Sequence, residues 1–238
     1  MCWNAPVSLA LGAAGMTVAG VSAARGGSKD IAIPLAYFSL MELLQFASYG
    51  SIDQCALASN TALTTLSYVH VAFQPIFFNM LMMASVPGGV SRQMRRIAYG
   101  VSLAITALLL VKLVPAIPAS LCAIGETLCG AQMCTVSGNW HLAWQVPLYD
   151  APIPWDIFYY YAAGVFVLPL FYRAWLAVVV ALASGPVLTY LIAQGNPNEW
   201  PAIWCFFSVA LILVGMLPHS KRIMAGVRAS LSGTVLSS

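Results

Sequence analysis

Glu42, His70 and Lys112 are the ionisable residues that fall inside otherwise apolar stretches, and Gln45 and Gln74 stand one helical turn from the first two. Positions three or four apart share a helix face, so Glu42 groups with Gln45 and His70 with Gln74. Counted at about 1.5 Å per residue, Glu42 and His70 lie roughly 12 to 14 Å, and Lys112 roughly 8 Å, below one end of their helices. Glu42, Gln45, His70, Gln74 and Lys112 thus form a candidate ligand-binding layer, because polar side chains at lipid depth are costly to keep without a functional partner. His141 adds a second imidazole, in a His-x-Ala-aromatic-Gln context that repeats the one at His70. If its segment folds back, Glu42, His70 and His141 would suit a transition metal, iron(II) or zinc, and the two imidazoles alone would suit a haem. The competing structural reading is that Glu42 and Lys112, or Glu42 and His70, neutralise one another and fix helix packing.

The elements that must position these residues are helices in lipid. The chain is 61% hydrophobic and 7% charged, against about 25% charged in ordinary soluble domains. A membrane crossing needs about 20 apolar residues. Seven stretches qualify, near residues 6–24, 31–50, 61–85, 97–117, 155–172, 174–193 and 200–218. The fifth and sixth are separated at Tyr172-Arg173-Ala174 because an arginine at the bilayer centre is costly. The expectation is an all-α, polytopic seven-helix transmembrane bundle forming one domain over residues 1–218, with a long outer loop at about 118–154 and a tail over 219–238.

Charge sets the direction. Arg25, Lys29, Arg92, Arg95, Arg96, Arg173, Lys221, Arg222 and Arg228 fall on one side of the seven stretches, and Asp53, Glu126, Asp150, Asp156 and Glu199 on the other. Basic residues in short loops mark the cytoplasmic face, which places the N-terminus outside and the C-terminus inside, in a bacterial inner (plasma) membrane. Read this way, the net charge of +3 reflects topology and gives no reason to expect nucleic-acid binding.

Small residues Ser8, Gly12, Gly15, Ala19 and Ala23 recur along the first helix and let another backbone approach closely. That helix lacks a basic leading segment and is read as retained. Trp3, Trp140, Trp144, Trp155, Trp200 and Trp204 cluster at the outer boundary, as an interfacial belt would. Cys55, Cys122, Cys129 and Cys134 all fall in outer loops, where an oxidising compartment favours one or two disulfides of undetermined pairing. The loop at 118–154 is expected to cap the outer mouth, with residues 139–145 forming a short interfacial helix. His219 reads as an interfacial residue at the inner end of the seventh helix.

The start Met1-Cys2-Trp3-Asn4, followed by a small-residue helix, a basic turn and a second helix ending Glu42-Leu43-Leu44-Gln45, resembles an uncharacterised family of polytopic membrane proteins. Its members open Met-Cys-Trp-Ser or Met-Cys-Phe-Ser and carry a Gln or Glu pair in the second helix. The resemblance implies a membrane family and no particular reaction, and Asn4 departs from its usual Ser. The function expected from the residues is a buried polar site in the outer half of the bundle that binds a metal, haem or small ligand. The alternatives are a small-molecule transporter or receptor, or an accessory subunit that packs against a membrane-protein partner or a second copy of itself.

Overall fold

The computed structural model describes residues 4–115, 121–123, 125–150, 155–193 and 195–216. Cys2, Trp3 and the tail from 219 to 238, with His219, Lys221, Arg222 and Arg228, lie outside the described residues. Among the described residues the main elements are seven apolar helices and one short hairpin: α1 (Ala5–Ala24), α2 (Lys29–Ser48), α3 (Ala58–Ala84), α4 (Arg92–Val111), β1 (Cys134–Ser137), β2 (Leu142–Gln145), α5 (Ile157–Phe171), α6 (Trp175–Ala193) and α7 (Trp200–Met216). Each helix overlays one of the seven apolar stretches. α1, α2, α3, α4 and α6 are long and apolar enough to cross a membrane, and α5 and α7 are shorter apolar helices.

Local chemistry explains the boundaries. Asn4 caps α1 by accepting the Val7 amide, and Ser91 caps α4 by accepting that of Met94, each satisfying an amide with no intrahelical partner. α4 therefore starts five residues earlier than hydropathy suggests, taking Arg92, Arg95 and Arg96 into its first turns. The division between α5 and α6 falls at Arg173, which is exposed and turns the chain at φ +64°. α3 continues unbroken through Pro75.

α1 packs against α2, α2 against α3, and α3 against α4, while α7 lies on α1 and α2. Ser8, Gly12, Gly15 and Ala19 are the buried face of α1. A side chain at Gly15 would put its Cβ 2.0 Å from Ser39 Oγ, so the close α1–α2 contact requires glycine there. Ala23, expected to continue this stripe, is exposed. α5 and α6 each contain a π-helical segment, Ala163–Val167 and Ala183–Val187. In the second, Gly185 lies flush against the Trp204 indole, 2.7 Å from where a Cβ would sit.

The long loop differs from expectation. Residues 139–145 form no interfacial helix; β1 and β2 pair antiparallel, with Thr135 opposite Trp144 and Ser137 opposite Leu142. The reason is burial on both sides: Leu142, Ala143 and Trp144 are successive and all buried, which an amphipathic surface helix cannot achieve. Trp144 is consequently a core residue, as is Trp204, whereas Trp155 and Trp175 are exposed in the manner of a belt.

Candidate functional site: a buried polar layer under a stapled cap

The hairpin and its flanking loops form a cap over one end of the bundle. Two disulfides hold it, Cys55–Cys134 and Cys122–Cys129, and these four are the cysteines expected to pair. The first joins the α2–α3 connection to β1. Asn60, at the start of α3, reinforces that join by accepting the Thr135 amide at 2.8 Å and donating to the Thr135 and Ser51 carbonyls. Asp53 accepts the Ser137 amide and hydroxyl. Lys112, immediately after α4, pairs with Asp150 at 3.1 Å and donates to the Trp155 carbonyl at 2.7 Å. At the opposite end of the bundle Arg95 pairs with Asp30 at 3.1 Å.

Glu199 precedes α7 and organises the turn between the strands. Its carboxylate accepts the successive backbone amides of Asn139, Trp140 and His141, and the side-chain amide of Asn196. Consecutive amides pointing one way form a concave anion seat, here filled by the protein's own carboxylate. Sequence reasoning placed Glu199 only among the outer acids. The legible signal was its position at a helix start after Asn196-Pro197-Asn198.

This seat drives His141 downward, so the fold-back that the His141 hypothesis required does occur. The imidazole is fully buried. Its Nε2 lies 2.5 Å from Gln45 Oε1 and its Nδ1 lies 2.7 Å from the Tyr49 hydroxyl. Gln45 Oε1 can only accept, so Nε2 carries the proton and Nδ1 accepts from Tyr49. Gln45 Nε2 in turn donates to the Ala202 carbonyl of α7 at 3.3 Å. Burial pushes the His141 imidazole down to about 3, because a charged ring taken out of water is disfavoured.

One turn below Gln45, Glu42 is 0% exposed and neither carboxyl oxygen has a hydrogen-bond partner among the described residues. The Glu42–Lys112 pair expected under the packing reading is not formed, since Lys112 turns to the cap. Nor is a Glu42–His70 hydrogen bond present: His70 Nε2 is itself buried and unpartnered. The His70 ring stacks on Tyr37 at 3.8 Å, and Tyr37 stacks on Phe77 at 3.7 Å. The Ser8 hydroxyl stands beside the Glu42 carboxyl without closing a well-formed hydrogen bond, and the Ser67 hydroxyl is buried with no partner among the described residues. Gln74, by contrast, is engaged, accepting from Tyr161 at 2.5 Å and donating to the free thiol of Cys205 at 3.0 Å. Tyr161 and Cys205 had not been singled out, since a tyrosine and a cysteine in apolar helices carry no spacing signal.

The structure therefore brings Gln45 to His141 and, among the described residues, leaves the Glu42 carboxyl oxygens and His70 Nε2 without a hydrogen bond. Among the described residues no group of three His, Cys, Asp or Glu side chains could hold a metal ion, so Glu42, His70 and His141 are not gathered as a ligand triad. Both His141 nitrogens already face protein partners.

Fold and site together define an all-α bundle of apolar helices, closed at one end by a disulfide-bonded cap. The chain belongs to the family of unknown function DUF5765, whose model matches residues 6–225. The match begins after the Met1-Cys2-Trp3-Asn4 start. Neither a curated protein nor a solved structure is significantly similar to the chain.

Proposed function

We propose that this chain is an integral membrane protein whose outer half binds a small hydrogen-bond-donating or cationic ligand, with Glu42 as the anchoring group. The observation that carries the reading is the Glu42 carboxyl: fully buried, both oxygens without a hydrogen bond among the described residues, and Lys112 committed to the cap. An isolated carboxyl in an apolar interior is costly, and a ligand that donates to it removes that cost. His70 Nε2 supplies a second unpartnered group in the same layer, and Gln45 and Gln74 border it. The proposed topology, N-terminus outside, is supported by the disulfides at the cap end and by Arg25 and Arg173 in connections, and Arg92, Arg95 and Arg96 in the first turns of α4, at the other, since disulfides persist in oxidising compartments and basic residues flanking short loops stay cytoplasmic.

A ligand is favoured over a metal or haem because His141 is held by Tyr49 and Gln45. The test is a melting experiment on detergent-solubilised protein with guanidinium, butylammonium and tetramethylammonium, wild type beside Glu42→Gln. A bound cation at a hundred times its Kd stabilises by about 2.7 kcal/mol, and the expected result is a rise for at least one cation that Glu42→Gln abolishes. Equal melting of both proteins with every cation overturns the anchoring role. A stoichiometric metal or haem lost on His70→Ala would restore the metal reading.

A further inference from the structure

A groove of about 380 Å³ opens on the bundle surface at the end opposite the cap, where the last turns of α1 meet the end of α7. Thr17, Val18, Val21, Ser22 and Arg25 line it from α1, Gly27 from the turn that follows and Met216 from α7. The α1 positions stand at i, i+1, i+4, i+5 and i+8, so they share one face of the helix, and from Thr17 to Arg25 that face runs for about 12 Å. Val18, Val21 and Met216 make the walls apolar, and Thr17 gives its hydroxyl to the Ala13 carbonyl. Arg25 is exposed at the end of this face, and the turn beyond it is tightly built. Gly26 takes φ +73° and the Gly27 amide donates to the Ser22 carbonyl at 2.8 Å. A Cβ at Gly27 would lie 2.4 Å from Ser22 Oγ, so glycine is needed for the backbone to fold back over the groove.

Charge narrows the choice of occupant, because the chain offers Arg25 no acidic side chain. Of its seven acids, Asp53, Glu126, Asp150, Asp156 and Glu199 belong to the cap and its flanks, and Glu42 is enclosed in the bundle. The remaining one, Asp30, is paired with Arg95 at 3.1 Å. Lys29, exposed at the start of α2 two residues beyond Gly27, likewise forms no ion pair among the described residues. Residues 217–238 follow Met216 directly, but they bring Lys221, Arg222 and Arg228 and no acidic side chain. They would add positive charge beside Arg25 and not offset it, so the complementary anion has to come from outside the chain.

We propose that this groove binds an anionic phospholipid, its phosphate on the Arg25 guanidinium and the glycerol end of one acyl chain along Val21 and Val18. The planar guanidinium presents paired donors that match phosphate oxygens, and basic pockets between membrane helices bind anionic head groups in this way. A net negative head is favoured over a zwitterionic one, whose own ammonium would join Arg25 and Lys29 in a place that holds no free carboxylate. A run of about 12 Å is less than half of a hydrocarbon core about 30 Å thick, so the groove holds the start of the chain and leaves the rest in the bilayer. This inference rests on membrane insertion, but neither on which side the N-terminus faces nor on the ligand at Glu42.

The experiment reconstitutes the full chain in phosphatidylcholine vesicles with a trace of phosphatidylglycerol that carries a diazirine near the ester end of one acyl chain. A parallel sample carries the same diazirine on phosphatidylcholine. After irradiation, labelled residues are mapped by mass spectrometry. Val179 and Val180, exposed on α6 shortly after Arg173, serve as the reference, since they combine lipid-facing apolar surface with a nearby arginine outside the groove. The phosphatidylglycerol probe should label residues 17–22 and Met216 well above the reference, and the phosphatidylcholine probe should not. Arg25→Gln, at an exposed position, should lower the groove labelling about fivefold, the equivalent of about 1 kcal/mol for one basic residue. Val21→Trp fills the groove and should bring it to the reference level. Glu42→Gln should leave the ratio unchanged, which separates this site from the one proposed above. The inference fails if the two probes label the groove equally, which is ordinary surrounding lipid, or if Arg25→Gln labels like wild type. It fails too if the wild-type groove labels no more than the reference, as it would with residues 217–238 filling it. Release of the chain from membranes by alkaline carbonate would remove membrane insertion itself, and this inference with it.

Discussion

Glu199 and Glu42 are both fully buried carboxyls, and the regions around them treat them oppositely. In the cap, Glu199 collects four donors, three of them backbone amides of a turn. In the bundle, Glu42 has the Ser8 hydroxyl beside it but closes no hydrogen bond among the described residues. The difference follows from what each kind of backbone can offer. A turn leaves amides free to point at an anion, whereas every interior amide of a helix is already bonded to the carbonyl four residues back. A carboxyl inside a helical bundle can be satisfied only by side chains, water or a ligand, and the neighbouring side chains have turned elsewhere. The cap thus contains a solved electrostatic problem and the bundle an open one.

The sharpest way to break this contrast is to empty the seat. Glu199→Ala leaves the buried His141 amide without an acceptor, at about 1 to 3 kcal/mol, and exposes the half-buried Trp140 and exposed Asn139 amides to water at a smaller cost, so a loss of about 3 kcal/mol in stability is expected, with the cap yielding first. A melting temperature close to wild type would show that the amides find other acceptors. The disulfides come next. Cys55–Cys134 spans 79 residues and Cys122–Cys129 spans 7, so chain entropy assigns about 4.5 kcal/mol to the first and about 2.5 to the second. Paired Cys→Ser replacements, melted in parallel, should therefore cost more at 55 and 134; the reverse order would mean that the long staple is not what fastens the cap.

Much of this arrangement was written in the chain. Hydropathy located all seven helices because an apolar run of membrane length has few other uses, and the exclusion of a buried Arg173 separated α5 from α6. The stripe of Ser8, Gly12, Gly15 and Ala19 indicated that another backbone approaches α1 closely, for a steric reason that operates at any depth, but not that the partner would be α2. The hairpin was not legible, since Leu142-Ala143-Trp144 is too short and too uniformly apolar for its period to distinguish strand from helix. Within the site, which helix carries each residue was readable and what each faces was not: Lys112 ends α4, where the cap residues Asp150 and Trp155 hold it. Glu199 was missed because its role depends on amides supplied by a turn 58 residues earlier in the sequence.

His141 links the two regions and gives the next test. Its imidazole sits at about 3 in the folded protein against an ordinary 6.5, so as pH falls below 6.5 the unfolded chain takes up a proton that the folded chain refuses. Stability is unaffected above that pH and is lost below it at up to about 1.4 kcal/mol per unit, down towards pH 3. Between pH 7 and pH 5 the wild type should lose about 2 kcal/mol more than His141→Gln, measured by denaturation in detergent at each pH. Identical pH profiles would place His141 in contact with solvent or a counter-charge, contrary to its seating between Tyr49 and Gln45.

The smallest expected effect is the most diagnostic. Removing a buried carboxyl that has partners is costly, because the partners are stranded along with it. Glu42 has none to strand, so Glu42→Gln should change ligand-free stability by less than about 1 kcal/mol, and Glu42→Leu should be neutral or stabilising by about the same amount. Glu199→Gln provides the control at equal burial: it keeps the shape, removes the charge, and presents an amide N–H₂ to amides that need an acceptor, so it should destabilise measurably. If Glu42→Gln proves as harmful as Glu199→Gln in ligand-free protein, the Glu42 carboxyl is already satisfied within the fold and the case for a ligand there falls. If the two diverge as expected, the stability forgone at Glu42 is a cost that the folded chain alone does not recover, and a bound ligand is the means by which it would be recovered.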